Sequence, residues 1–220
     1  MALYLGIDSS TQSMKALVID PAAARVVGSA SVSFSADLPQ YGCPDGVLPH
    51  ADPLVKHADP LMWLAALDLL LARLQAGGVD MGQIAAIGGD GQQHGSVCLN
   101  GRFEPALDAL SPDRGLAGQL APALARPTSP IWMDSSTAAA CRDLTARFGG
   151  RLQADTGSPA IERFTGPQIR KFALSEPGRY AQTVRIHLVS SFLCSVLIGR
   201  DAPIDSGDGA GMNLLNLRTL

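Results

Sequence analysis

The stretch Leu3-Tyr4-Leu5-Gly6-Ile7-Asp8-Ser9-Ser10-Thr11-Gln12-Ser13-Met14-Lys15-Ala16-Leu17-Val18-Ile19-Asp20 decides how the rest of the chain is read. Two apolar runs, Leu3–Ile7 and Ala16–Ile19, flank a short polar segment, which is the pattern of a β-hairpin. The turn carries Asp8, then Ser9, Ser10, Thr11, Gln12 and Ser13, then Lys15. Short hydroxyl side chains let backbone N–H groups approach an anion and add donors of their own. An aspartate at a strand end supplies the oxygen ligand that Mg²⁺ prefers. Asp8 is therefore a candidate metal and catalytic residue, and Ser10, Thr11, Gln12, Ser13 and Lys15 are candidate phosphate ligands. A plain polar hairpin turn has the same composition, and these residues alone leave both readings open. There is no GxxxxGK[ST] run, so a P-loop is not indicated.

The chain has 220 residues, of which 46% are hydrophobic and 17% charged, enough for a well-buried core and too apolar for a disordered chain. Seventeen basic residues stand against 20 acidic ones with no basic run, which argues against nucleic acid as a partner. The longest apolar run, Leu188–Ile198, is too short to span a bilayer. No secretory signal is read at the N-terminus, because a strand begins at once and carries Asp8. Cys43, Cys98, Cys141 and Cys194 lack CxxC spacing and read as reduced thiols of a cytoplasmic protein.

Beyond the hairpin, Arg25–Phe34 reads as a third strand. Ser35–His57 reads as a long loop punctuated by Pro39, Gly42, Pro44, Gly46, Pro49 and Pro53. Long irregular loops inside compact domains are often functional. Asp59 and Pro60 open a helix whose leucines at 61, 64, 67, 71 and 74 form a core stripe, and Gly77-Gly78 closes it. Ile84–Ile87 reads as a short buried strand entering the glycine-rich turn Gly88–Gly95, which presents Gln93 and His94. Such a pair suits a polyhydroxylated ligand, and a glycine-rich turn with a hydrogen-bonded histidine suits the sequence as well. Phe103–Ser129 is partly helical or irregular. A strand ending near Trp132 and a helix capped by Asp134 or Ser135 would put Trp132 and Asp134 at a ligand-facing sheet end, although core packing and simple capping explain them somewhat better. A helix is expected from about Pro167 to Leu174, a buried helix over Thr183–Ile198, and an acidic glycine-rich turn over Ile204–Gly211. Arg163 offers a rigid five-donor fork.

Several motifs occur together in one order. They are Gly6-Ile7-Asp8-Ser9-Ser10-Thr11-Gln12-Ser13-Met14-Lys15, Gly91-Gln92-Gln93-His94-Gly95-Ser96, Trp132-Met133-Asp134-Ser135-Ser136-Thr137, Glu162-Arg163-Phe164-Thr165-Gly166 with Gln168-Ile169, Leu188–Phe192, and Pro203-Ile204-Asp205 with Gly211–Leu215. Over nearly the whole chain this set resembles the FGGY family of carbohydrate kinases, and within it the eukaryotic-type branch that acts on D-xylulose.

The resemblance implies an α/β, ribonuclease-H-like lobe of the actin and sugar-kinase type, with a mixed sheet flanked by helices. It implies ATP-dependent phosphorylation of D-xylulose with ATP and Mg²⁺ as cofactors. Asp8–Lys15 then corresponds to the phosphate hairpin, and Gln93, His94 and Arg163 to the sugar contacts, with Trp132 and Asp134 on the substrate side. The family's general base is an aspartate of a second, C-terminal lobe. The chain lacks that motif, and Gly207-Asp208-Gly209 does not replace it. Residues 1–220 therefore correspond to the N-terminal lobe alone, a piece whose partner is the C-terminal lobe of the same kinase. Homodimer formation is left open. Competing expectations are a non-catalytic sugar-binding lobe, a kinase for L-ribulose, L-fuculose, glycerol or gluconate, and an ATPase of the same fold without a sugar site.

Overall fold

Residues Leu3–Ser9 and Ser13–Asp20 form the expected hairpin in the computed structural model, which describes residues 2–219. The strands are β1 (Leu3–Ser9), β2 (Ser13–Asp20), β3 (Arg25–Ser33), β4 (His57–Ala58), β5 (Ile84–Gly91), β6 (Ser96–Leu99), β7 (Ser129–Pro130) and β8 (Arg185–Leu188). The helices are α1 (Phe34–Asp37), α2 (Pro60–Ala76), α3 (Phe103–Asp108), α4 (Leu116–Leu120), α5 (Ala138–Phe148), α6 (Gly150–Thr156), α7 (Thr165–Ser175), α8 (Pro177–Tyr180), α9 (Val189–Ile198) and α10 (Ser206–Ala210).

The main sheet has the order β3-β2-β1-β5, antiparallel except for the parallel β1–β5 pair. Period-two alternation divides its faces. Leu5, Ile7, Met14, Ala16, Val18 and Val32 turn inward and join the core with α2. Tyr4, Leu17 and Ile19 lie on the opposite, open face. The Asp59 carboxylate accepts from the Leu61 N–H with Pro60 at the first helical position, as expected for the start of α2. Leu64, Leu67 and Leu74 of the leucine stripe are buried, but so are Met62, Trp63 and Leu70. The helix is thus embedded on a broader arc than an amphipathic stripe requires.

Five expectations are corrected. The strand at Ile84 is neither short nor buried: it continues through the glycines to Gly91 at the sheet edge and is largely exposed. Its backbone pairs with β1 as far as Ser9↔Gly91, and at the sheet edge even Ile87 is 44% exposed. The turn itself is confined to Gln92–Gly95. Gly91 permits a close approach, since a Cβ there would lie 2.8 Å from the Ser190 backbone nitrogen. Phe34 leaves β3 to start α1, because the Ser33 hydroxyl accepts from the Ala36 N–H and caps it. The supposed helix over Thr183–Ile198 is β8 followed by α9. β8 pairs with β6, and the Ser191 hydroxyl caps the following helix by accepting from the Leu188 N–H at 3.1 Å. The strand near Trp132 is only Ser129–Pro130, and the following helix starts at Ala138 without a side-chain cap. Finally, Ile204–Gly211 contains the short helix α10, capped by Asp205.

Candidate active site

The turn Ser10–Gln12 joins β1 to β2 and is held from several sides. The Ser10 hydroxyl donates to the Asp8 carboxylate at 2.6 Å. The Trp132 indole N–H donates to Thr11 Oγ1 at 2.9 Å. Behind the turn, the Phe34 N–H donates to the Gln12 carbonyl at 3.0 Å, and Gln12 Nε2 reaches Asp45 Oδ1 at 3.3 Å. Gly46, at φ +80°, lies so close that a Cβ there would sit 1.7 Å from the Thr11 carbonyl oxygen. The loop expected over 35–57 therefore includes a backing for the turn. The Pro44-Asp45-Gly46 tripeptide was its only signal in the sequence.

Opposite the turn, His94 follows β5 in the left-handed region at φ +63°. Its ring lies 4.9 Å from the Phe164 ring, and the Arg163 guanidinium carbon lies 5.9 Å from the same ring. Phe164 is thus a shared platform for the two polar groups, a role its place beside Arg163 in the sequence did not reveal. Gly211 closes the other side, where a Cβ would come within 2.9 Å of His94 Cε1. Burial and the nearby Arg163 charge push the His94 pKa below its ordinary value, which keeps the imidazole neutral at pH 7 and able both to donate and to accept.

The structure brings Asp8, Ser10, Thr11, Gln93, His94, Trp132 and Arg163 together around one hollow of about 620 Å³, which Asp90, Gln92 and Asp208 also line. Gln12 and Ser13 stand apart from it, Gln12 turned toward Asp45 and Ser13 paired in the sheet with Ser33. Lys15, the register partner of Asp8, lines with Asp8 and Asp90 the neighbouring hollow of about 1130 Å³ on the open sheet face. Asp134 is corrected more sharply. It is 0% exposed and faces the interior, away from the hollow. One oxygen accepts from the Ser136 N–H, the Ser136 hydroxyl and Gln168 Nε2, and the other accepts from the Lys56 N–H. Burial alone would raise its pKa, but these bonds outweigh it and hold the carboxyl below its ordinary value. A carboxylate with no exposed surface, bonded inside the fold, cannot reach a sugar in the hollow.

Asp90 was not recognised as a site residue. It is the register partner of Asp8 across the parallel β1–β5 pair, which sets the two carboxylates on the same face of neighbouring strands. The Mg²⁺ that the resemblance implies fits this donor set: Asp8, Asp90 and the Ser10 hydroxyl all present oxygen. Among the described residues no group of three or more His, Cys, Asp or Glu is arranged to hold a metal. Mg²⁺ needs none, because it is commonly held by one or two carboxylates with water and substrate phosphate oxygens completing the shell.

Without a cation the pair is repulsive. Partial burial, the Asp8 charge and the Asp208 charge all raise the Asp90 pKa. A carboxyl with a raised folded pKa lowers stability above its folded pKa, and that loss vanishes below the unfolded value, near 3.8. Asp90→Asn is therefore expected to melt above the unmodified chain at pH 7 in metal-free buffer, and level with it near pH 3. Equal melting temperatures at pH 7 would show that the repulsion is negligible.

Comparison with known proteins follows the same division of parts. No family model matches the chain. It is 46% identical over 216 residues to a xylulose kinase of Rattus norvegicus, covering 97% of this chain and 40% of that protein. It is 44% identical over 221 residues to xylulose kinase 2 of Arabidopsis thaliana, covering 98% of this chain and 39% of that protein. The chain is similar to these xylulose kinases over nearly its whole length. It spans about two fifths of the length of these relatives.

Solved structures give the same fold at lower identity. A xylulose kinase from Rhodospirillum rubrum superimposes with a TM-score of 0.76 at 17% identity, covering 99% of this chain and 38% of that one. The glycerol kinase of Plasmodium falciparum with ADP superimposes with a TM-score of 0.72 at 17% identity, covering 100% of this chain and 39% of that one. The mixed sheet flanked by helices thus has the ribonuclease-H-like fold that these sugar kinases share. No helix among the described residues is long and apolar enough to cross a membrane.

Proposed function

We propose that residues 1–220 are the N-terminal, sugar- and phosphate-binding lobe of an ATP-dependent kinase that converts D-xylulose to D-xylulose 5-phosphate. The observation that carries this reading is the shared hollow: a hydroxyl-bearing turn on one wall, and His94 and Arg163 on a common aromatic platform on the other. A chaperone-type ATPase has no use for the second wall.

Phosphoryl transfer depends mainly on positioning and on stabilising charge. In this reading Arg163 donates to sugar hydroxyls through a planar fork, and His94 and Gln93 complete their pairing. Ser10 and Thr11 donate to phosphate oxygens. Asp8 and Asp90 would hold Mg²⁺, which supplies neutralisation of the phosphate charge. The proton of the attacking hydroxyl is taken by a base outside this chain, on the C-terminal lobe, so the isolated lobe binds without turning over.

The test is thermal stability with D-xylulose, L-ribulose and glycerol. A ligand at about 100 times its Kd adds about 2.7 kcal/mol, or about 5–10 °C for a domain of this size. D-Xylulose is expected to raise the melting temperature more than the other two. His94→Ala and Arg163→Ala should each abolish the rise. A rise that survives both substitutions would remove those residues from the sugar site, and a larger rise with glycerol would replace the substrate assignment.

A further inference from the structure

We propose that Trp132 is a positioning residue for the phosphate turn. Its indole N–H sets the Thr11 hydroxyl as an anion donor and so couples the sugar side of the hollow to the phosphate side. The proposal rests on the reading above in that it takes the hollow to accept a sugar and a phosphate together.

The bond that carries it joins residues 121 positions apart: Trp132 Nε1 to Thr11 Oγ1 at 2.9 Å. An indole nitrogen is a donor only, whereas a hydroxyl has one proton and two lone pairs. Thr11 must therefore accept from Trp132, and its own proton remains to be donated elsewhere. Among the described residues no hydrogen bond uses that proton, and Thr11 lines the hollow. A phosphate oxygen in the hollow is the kind of partner that completes it. Without the indole the hydroxyl is free to rotate, and the donor direction is lost.

Both ends of the tie are rigid, so the bond can fix a geometry. The turn is seated against Gly46, as described above. The Trp132 loop is seated by the Ile131 N–H on the Lys56 carbonyl at 3.0 Å, by the Ser135 N–H on the Leu54 carbonyl at 3.0 Å, and by the buried Asp134 carboxylate. From this base the indole projects with 44% of its surface exposed, whereas the other tryptophan, Trp63, is wholly buried. Arg163 and His94 line the same hollow, so a sugar they hold lies beside the indole. A sugar that restrains the indole restrains Thr11 with it. By linkage, an anion on Thr11 then favours the sugar to the same degree.

The experiment titrates the 220-residue chain with D-xylulose, with and without saturating Mg²⁺-tripolyphosphate. Binding is read by calorimetry, which Trp132→Phe leaves usable, and Trp132 emission is followed alongside it, against the background of Trp63, in the chains that keep the indole. Tripolyphosphate is expected to shift the Trp132 emission and to tighten D-xylulose binding about fivefold or more. Thr11→Val and Trp132→Phe should each abolish the tightening, and the double substitution should add nothing further. Thr11→Ser, which keeps the hydroxyl, should restore both the tightening and the emission shift. Tightening that persists in Thr11→Val or Trp132→Phe overturns the proposal, as does a Thr11→Ser chain that behaves like Thr11→Val. D-Xylulose binding by the unmodified chain with no tightening overturns it while leaving the sugar-site reading intact. No D-xylulose binding at all removes that reading, and this proposal with it.

Discussion

Gly46→Ala is expected to destabilise the chain by about 3 kcal/mol or more, with the phosphate turn displaced. Two separate effects add. The residue adopts φ +80°, a region that costs an L-amino acid about 1–2 kcal/mol. Its new methyl would also lie 1.7 Å from the Thr11 carbonyl oxygen, a backbone atom that no side-chain rotation can move aside. Relief requires the turn and the loop behind it to part, breaking the Gln12–Asp45 and Phe34–Gln12 bonds. Gly42→Ala is the built-in control: it has φ +63° but no atom within 4 Å of the added methyl, so only the backbone cost applies. At about 2–4 °C per kcal/mol for a domain of this size, Gly46→Ala should melt several degrees below Gly42→Ala. Equal melting temperatures for the two would mean that the turn is not seated on this loop.

Gly46 also illustrates what the sequence conveyed and what it withheld. The hairpin was legible because strand alternation and turn chemistry are local, and Leu3–Asp20 carries both within a single run. The start of α2 was legible for the same reason, since Asp59 and Pro60 act on the next turn of the backbone. A glycine placed for contact with a carbonyl 35 positions earlier has no local signature, and Gly46 read only as loop punctuation. Pairing across the sheet was equally hidden. Asp90 reads in the sequence as part of a glycine-rich turn, and the parallel β1–β5 register sets it beside Asp8.

The candidate site divides along the same line. Asp8, Ser10, Thr11, Gln93, His94 and Arg163 were found through motifs, and they converge. Phe164, which supports His94 and Arg163 together, was missed because a lone aromatic beside a charged residue is indistinguishable from core. Ser13 and Asp134 lie inside motifs but outside the hollow. A motif marks residues held in a fixed order, and some of those serve the fold rather than the ligand. The break of Thr183–Ile198 into β8 and α9 makes the same point: the stretch is apolar enough for a single buried helix, and long-range pairing with β6 overrides that local preference.

Asp134 gives the separation of these two kinds of motif residue its sharpest test. Asp134→Asn preserves shape but replaces one acceptor oxygen with an NH₂ donor. In one orientation that group meets the Ser136 N–H, the Ser136 hydroxyl and Gln168 Nε2, and in the other it meets the Lys56 N–H. Every choice sets donor against donor in a site with no exposure to water. Disrupting a buried, fully bonded carboxylate costs about 3–5 kcal/mol, about 6–20 °C for this domain. Acid should narrow the gap. A carboxyl with a depressed folded pKa adds stability that is complete above its unfolded value and disappears as pH falls through the folded one. His57, 3.5 Å from Asp134, contributes no narrowing: burial, with repulsion from Arg126, lowers its pKa from 6.5 to about 4, so both chains lose its share between those values as pH falls. The Asp134→Asn chain should therefore melt far below the unmodified chain at pH 7 and approach it as the pH falls below 3.8. Its folded fraction should bind D-xylulose with the Kd of the unmodified chain, because the carboxylate never reaches the hollow. An unchanged melting temperature together with lost sugar binding would return Asp134 to the substrate side, where its place after Trp132 in the sequence had put it.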